Sequence, residues 1–172
     1  PGRARALVLC APAGFEVFDE REAALLKGAT TPQAIMATPP DRVRANVAAN
    51  FVSVPDDARF IAEDRLRLIG DPGFPGYATA VSRSVAGMLD GPVFARLLEI
   101  QAPTLVLFGE EDRLIPNRLL HRDSTTSDIA ERGAAQLPRA RLLKIPQAGH
   151  FVMLEQGARV NEEILGFVGA LP

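Results

Sequence analysis

Three short runs of apolar residues are typical of strands in a buried sheet. The first two, Ala6–Ala11 and Thr104–Gly109, are continuous, whereas the third, Arg141–Pro146, contains polar residues. Continuous apolar runs of this length indicate strands that are covered on both faces, as in parallel sheets. Helical patterns follow the last two runs, over Ser124–Leu137 and Val152–Val168. Strands that alternate with helices in this way predict an α/β fold with a parallel sheet.

The connection between the first and second runs is far longer than an ordinary strand-to-helix connection of a few residues. It contains five segments of helix-like composition, separated by prolines and glycines: Glu20–Lys27, Asp41–Ala49, Asp56–Leu68, Ala78–Leu89 and Val93–Glu99. Asp41 and Asp56 are the predicted N-caps of two of these helices. We therefore predict a core made of residues 1–14 and 99–172, and a helical cap insertion, residues 15–98, above the carboxyl edge of the sheet.

The composition is that of an ordinary soluble globular protein, with 47% hydrophobic and 23% charged residues. The net charge is −2, without a long run of either sign, so neither nucleic acid nor a membrane surface is an expected partner. The chain also lacks an apolar stretch of about 18 residues, the length that a membrane span requires. Its single cysteine, Cys10, lies in the first apolar run and is interpreted as a small buried residue. Without a disulfide framework, a cytoplasmic location is expected.

Acidic residues and a histidine follow the second and third runs. Thr104–Gly109 leads into Glu110-Glu111-Asp112, and the third run leads into Gly149-His150. Because neighbouring parallel strands end at the same edge of a sheet, Asp112 and His150 are expected to lie close together. A carboxylate beside a histidine fixes the imidazole tautomer and stabilises the imidazolium that forms on protonation. Alone, Asp112 is better explained as a turn or capping residue, and His150 is explained equally well as a structural histidine, but together they favour a catalytic pair.

The order of these elements resembles the last two strands of the α/β-hydrolase family. The resemblance rests on Gly-Glu-Glu-Asp-Arg-Leu-Ile-Pro after one strand and Ala-Gly-His-Phe after the next, and it covers Ile100–Pro172. It extends by position to the first strand and to the insertion, which corresponds to a cap domain. The resemblance implies a partial α/β-hydrolase fold with Asp112 as catalytic acid and His150 as catalytic base. It further implies that Gly149 is a small residue where the backbone turns, and that neither a cofactor nor a metal ion is required.

The nucleophile motif of that family, Gly-x-Ser-x-Gly, does not occur in the 172 residues, nor does a version with Cys or Asp. We assign none of the serines as nucleophile; they are Ser53, Ser82, Ser84, Ser124 and Ser127. We expect the nucleophile in an N-terminal half outside this chain, and the chain alone to be inactive. Family members that place their acid after the preceding strand would instead use Glu16 or Asp19. The other histidine, His121, lies in a polar stretch and is expected to be solvated.

The resemblance implies a hydrolase that acts on an ester, amide or C–C bond of a small apolar substrate. Six residues of the insertion would wall its pocket: Phe51, Phe60, Phe74, Tyr77, Met88 and Phe94. A dehalogenase with an aspartate nucleophile is a variant, and a non-catalytic remnant that serves as a binding module is the alternative. The missing half or a second copy of the chain would be the protein partner. A Rossmann-type nucleotide binder is disfavoured because Ala11-Pro12-Ala13-Gly14 has one glycine and a proline without an N–H.

Overall fold

A parallel sheet of three strands is present in the computed structural model, which describes residues 3–171. Strand β1 is Leu7–Cys10, β2 is Thr104–Gly109 and β3 is Ala140–Ile145, and β2 lies between the other two. The register places Leu107 of β2 beside Cys10 on one side and beside Leu143 on the other. The predicted α/β class and the three predicted strands are confirmed.

Helices cover both faces of β2, whose six residues are all buried. Because side chains alternate along a strand, Val106 and Phe108 face one way and Leu105 and Leu107 the other. The first pair packs with Ile129 of helix α6 (Thr126–Ala134), and the second with residues of α7 (Val152–Glu155) and α8 (Gly157–Gly169). This two-sided burial explains why the β2 sequence is continuously apolar.

The chain divides into two compact units. The sheet unit contains the residues up to Glu16, the segment Ala49–Pro55 and the residues from Val93 onward, whereas Val17–Ala48 and Asp56–Pro92 form the helical unit. The segment Ala49–Pro55, called the 49–55 segment below, lay within the predicted insertion but belongs by its contacts to the sheet unit. Val93 to Leu98 likewise belong to the sheet unit.

The helical unit consists of α1 (Glu20–Ala29), α2 (Pro32–Met36), α3 (Pro40–Ala48), α4 (Phe60–Arg67) and α5 (Phe74–Asp90). Within it, α1 and α2 pack against α5, and α3 packs against α4. The short α2 was not predicted, although Thr31 caps it and Pro32 is its first residue. Among residues 3–171, no helix combines the length and apolar character needed to cross a bilayer.

The ends of several helices differ from the prediction. Asp41 lies in the first turn of α3, which begins at Pro40, and is therefore not its N-cap. Asp56 is the first residue of a short 3-10 helix. The true capping boxes are Asp19 with Glu22 at α1 and Thr125 with Asp128 at α6.

Two further differences concern helices of the sheet unit. Phe94–Glu99 forms a 3-10 helix instead of an α-helix. The single helix predicted over Val152–Val168 is broken at Gln156, which has φ −122° and ψ 41°. Glu155, the residue before the break, accepts hydrogen bonds from the backbone of Gly149 and of the distant Val52.

Candidate active site

Asp112 follows β2 and is fully buried. Its Oδ1 accepts hydrogen bonds from Leu114 N at 2.7 Å and Ile115 N at 3.0 Å, which close a turn after the strand. Its Oδ2 lies 2.9 Å from His150 Nδ1. The two explanations that the sequence offered for this aspartate therefore apply to different oxygens of one carboxylate.

His150 follows β3, and 22% of its side chain is exposed. An ionised Asp112 selects the imidazole tautomer that carries its hydrogen on Nδ1, and this leaves Nε2 as an acceptor. A general base that takes a proton through Nε2 requires this tautomer. The structure thus brings together the two residues that the sequence singled out, and their catalytic role stays a prediction.

Backbone contacts set the spacing between the loops that carry Asp112 and His150. Glu110 N donates to Ile145 O and Glu111 N donates to Ala148 O, both at 3.0 Å. Gly109 lies so close to the second loop that a Cβ there would be 2.2 Å from Gly149 O and 2.3 Å from Ala148 O. The two loops therefore touch through their main chains, and only glycine fits at position 109 without displacing one of them.

Two side chains that the sequence analysis missed hold the main chain of Asp112. Arg118 Nη2 donates to Asp112 O at 2.8 Å. The buried hydroxyl of Thr126 lies 3.1 Å from the same oxygen and 2.9 Å from Ile115 O. The capping-box pattern Thr125-x-x-Asp128 was the available signal for part of this, because it places Thr126 at the start of α6.

Replacing Thr126 with Val is expected to lower the free energy of unfolding by about 1–2 kcal/mol, because the shape stays while a buried hydrogen-bond donor is lost. Urea unfolding measures the change. Thr79→Val is the control, since its exposed hydroxyl donates to Pro75 O within a helix, and a change below about 0.5 kcal/mol is expected there. Equal losses in the two variants would contradict the role assigned to Thr126.

Gly149 owes its identity to close packing. The left-handed backbone conformation in this loop lies at Gln147, with φ 55°, and not at Gly149. A Cβ on Gly149 would lie 2.8 Å from Asn50 O and 3.1 Å from the Cα of Phe51. The glycine implied by the family resemblance therefore lets the 49–55 segment approach the His150 loop, and the turn itself is made two residues earlier.

Two of the residues expected to wall a pocket from the insertion are core residues of the sheet unit. Phe51 is buried and packs edge-on against Phe151, with ring centroids 5.3 Å apart. Phe94 packs against the sheet core, and the Arg132 guanidinium lies 5.7 Å from its ring centroid. Their apolar character is explained by the core of the sheet unit.

Glu16 and His121 form a second carboxylate–imidazole pair. His121 Nδ1 lies 2.6 Å from the buried Glu16 Oε1, which also accepts from Asn117 N at 2.7 Å. Only 20% of the His121 side chain is exposed, so the expectation that it is solvated is wrong. The alternative acids have other tasks in the structure, since Glu16 binds His121 and Asp19 caps α1.

The structure gives no support for Cys10, Ser84 or Ser127 as a nucleophile. Cys10 is partly buried, not fully buried as interpreted from the sequence, and burial raises the pKa of its thiol above the ordinary value. The thiol therefore stays protonated at neutral pH, whereas nucleophilic cysteines act as thiolates. The Ser84 hydroxyl donates to Ala80 O within α5. Ser127 donates to Glu131 and accepts from Lys144 Nζ.

Solved structures with the same fold are numerous. A probable hydrolytic enzyme of Pseudomonas aeruginosa superposes with a TM-score of 0.78 at 21% identity, over 96% of this chain and 55% of that one. A thermophilic esterase of Thermogutta terrifontis gives a TM-score of 0.68 at 22% identity, over 98% of this chain and 57% of that one. The chain thus spans little more than half of each. At this level of sequence identity, the structural similarity shows that the fold is shared and shows no more than that.

Sequence comparison leads to the same group of proteins. A 2-hydroxy-6-oxononadienedioate/2-hydroxy-6-oxononatrienedioate hydrolase of Paraburkholderia phymatum is 34% identical over 74 residues, which is 43% of this chain and 22% of that protein. The family model described as the alpha/beta hydrolase family matches residues 2–163, nearly the whole sequence. With the parallel sheet and the paired acid and histidine at its carboxyl edge, this match shows that the chain belongs to the α/β hydrolase family.

Proposed function

We propose that this chain supplies the acid and the base of a serine-type hydrolase whose nucleophile lies outside the 172 residues. The observation that carries the proposal is the 2.9 Å contact between His150 Nδ1 and the buried Asp112 Oδ2. Each residue follows its own strand, and backbone hydrogen bonds join the two loops. The pair therefore sits on a rigid scaffold, as positioning of a general base requires.

In the proposed reaction, His150 Nε2 takes the proton of the attacking hydroxyl while the hydroxyl oxygen bonds to the carbonyl carbon of the substrate. The same proton passes to the leaving group as its bond to that carbon breaks. Water then attacks the acyl-enzyme with the same assistance, which releases the acid and restores the hydroxyl. Asp112 accepts the hydrogen bond from Nδ1–H and so stabilises the imidazolium.

Two observations support an external nucleophile. The sequence has no Gly-x-Ser-x-Gly, and the solved structures it resembles are considerably longer, since it covers 55% and 57% of them. The family places that motif ahead of the acid in the chain. We accordingly place the nucleophile and the donors for the developing oxyanion in a preceding segment.

The proposed substrate class is a carboxylic ester or a ketone that is cleaved at a C–C bond. Its support is the names of two similar proteins, an esterase and a hydrolase of 2-hydroxy-6-oxononadienedioate. Both reactions require attack at a carbonyl carbon and a proton for the leaving group, and an Asp–His pair assists each of these steps.

An alkyl fluorophosphonate tests the proposal, because an activated serine oxygen attacks its phosphorus and expels fluoride. The protein as its source makes it is treated with this probe and digested, and the labelled peptide is located by mass spectrometry. We expect one labelled serine outside the 172 residues, and loss of p-nitrophenyl acetate hydrolysis in step with labelling. The 172-residue chain alone, treated in parallel, is expected to remain unlabelled.

Two results would overturn the proposal. Stoichiometric label on a serine between Ser53 and Ser127 would place the nucleophile inside the chain. Neither label nor hydrolysis in folded protein would favour the non-catalytic alternative.

A further inference from the structure

The carboxylate of Glu155 holds three backbone N–H groups. Its Oε2 accepts from Gly149 N at 2.6 Å, and its Oε1 accepts from Val52 N at 2.8 Å and Ser53 N at 3.1 Å. Glu155 is the last residue of α7 and is partly buried. Hydrogen bonds to an ionised acceptor are shorter and stronger than those between neutral groups. One side chain thus ties the residue before His150 to the 49–55 segment.

The residue after His150 is tied to the same segment. Phe151 N donates to Asn50 O at 3.1 Å, and the Phe151 ring packs edge-on against the buried ring of Phe51. Gly149 itself lies against the Asn50 and Phe51 backbone. His150 is therefore bracketed by two neighbours that are both fixed to the 49–55 segment.

The loop needs such anchors because it holds a conformation that is unfavourable on its own. Gln147 has φ 55°, a left-handed backbone that costs a non-glycine residue free energy. Residues in such conformations persist where the surroundings hold them. The imidazole is 22% exposed, so packing encloses it only in part. Its orientation toward Asp112 accordingly depends on where the backbone carries it.

We propose that Glu155 is a positioning residue for the base: its carboxylate fixes the Gly149–Phe151 backbone, and thereby holds His150 Nδ1 against Asp112. The inference rests on the proposed function for its catalytic meaning. Glu155 acts through His150 and takes no part in the proton transfers themselves.

Conservative variants of Glu155 separate charge from reach. Glu155→Gln keeps the length of the side chain but replaces one oxygen with an NH₂ group. That NH₂ would face either the N–H of Gly149 or the N–H groups of Val52 and Ser53, and a donor cannot bind a donor. Glu155→Asp keeps the charge but is one methylene shorter, so we expect it to reach either Gly149 N or the 49–55 segment, and not both. Glu162→Gln is the matched control, because Glu162 is an exposed carboxylate of α8, paired with Arg159.

The test measures how fast the His150 Nδ1 proton exchanges with solvent, by NMR of protein labelled with ¹⁵N-histidine. His150→Gln assigns the signal by removing it. We expect exchange about tenfold faster in Glu155→Gln, as loss of a charge-assisted hydrogen bond implies, an intermediate rate in Glu155→Asp, and the parent rate in Glu162→Gln. The Nδ1 proton of His121, bonded to Glu16, is the internal reference and is expected to keep its rate.

An unchanged His150 rate in both folded Glu155 variants would overturn the proposal. Equal acceleration at His150 and His121 would also overturn it, because that result indicates general loosening. If Glu155→Gln does not fold, Glu155→Asp alone decides between these outcomes. The measurement involves no substrate, so failure of the proposed function appears separately, as hydrolysis that survives loss of His150.

Discussion

Replacing His150 with Gln in the protein that carries the nucleophile is expected to lower kcat/KM for p-nitrophenyl acetate by at least about a thousandfold. Glutamine is polar and of similar reach, but its amide cannot take up a proton and return it near neutral pH. The loss should fall mainly on kcat, because in the proposed reaction the imidazole acts on the reacting atoms and contributes little to substrate binding. Initial rates over a range of ester concentrations give both constants.

His121→Gln is the matched control for this experiment. His121 is also a half-buried histidine bonded to a buried carboxylate, but its partner is Glu16. We expect kcat/KM to stay within about threefold, while the free energy of unfolding falls by about 1–3 kcal/mol because a buried acceptor loses one of its donors. Similar losses of activity in the two variants would contradict the assignment of His150 as the base.

Replacing Gly109 with Ala is expected to lower the free energy of unfolding by about 3 kcal/mol or more, beyond the usual range for overpacking. The added Cβ would lie 2.2 Å from Gly149 O and 2.3 Å from Ala148 O, and both of these are main-chain atoms. Relief requires the ends of β2 and β3 to separate, which also pulls Asp112 away from His150. Urea unfolding gives the energy, and the NMR signal of the His150 Nδ1 proton reports the separation.

Gly166→Ala provides the comparison within the sheet unit. Gly166 lies in α8, and a Cβ there meets nothing within 4 Å. Alanine is the better helix former, so this variant should be stabilised by up to about 1 kcal/mol. Parent-like unfolding of Gly109→Ala would show that the two loops can part without loss of stability.

The sheet and the position of the pair could be predicted because their signals are local. An apolar run such as Thr104–Gly109 reflects burial on both faces, and Asp112 comes directly after it. Parallel strands end at one edge of the sheet, so topology alone brings the residue after β2 toward the residue after β3. The assumption that β2 and β3 are neighbours in the sheet was therefore enough to predict that Asp112 and His150 lie close together.

The supports of the pair could not be predicted because they join residues that are distant in sequence. Glu155 binds the backbone of Val52, which lies 103 residues earlier in the chain. No periodic pattern links these positions, and Glu155 lies directly before the break in the helix that periodicity predicted. The prediction that His121 is solvated was wrong for a related reason, since its polar neighbours in sequence gave no sign of its contact with the buried Glu16.

The separate roles of the two Asp112 oxygens affect how the genes of this family are expected to change during evolution. A descendant that abandoned hydrolysis would be released from the demand on Oδ2, but Oδ1 would still be needed to close the turn after β2. Selection for a stable protein would therefore preserve the aspartate after the chemistry had lapsed. The imidazole of His150 has no comparable turn to close, so substitutions are expected to accumulate there first. If His150 is the base, as proposed, a survey of related genomes is expected to find that the histidine marks working enzymes and the aspartate marks the fold.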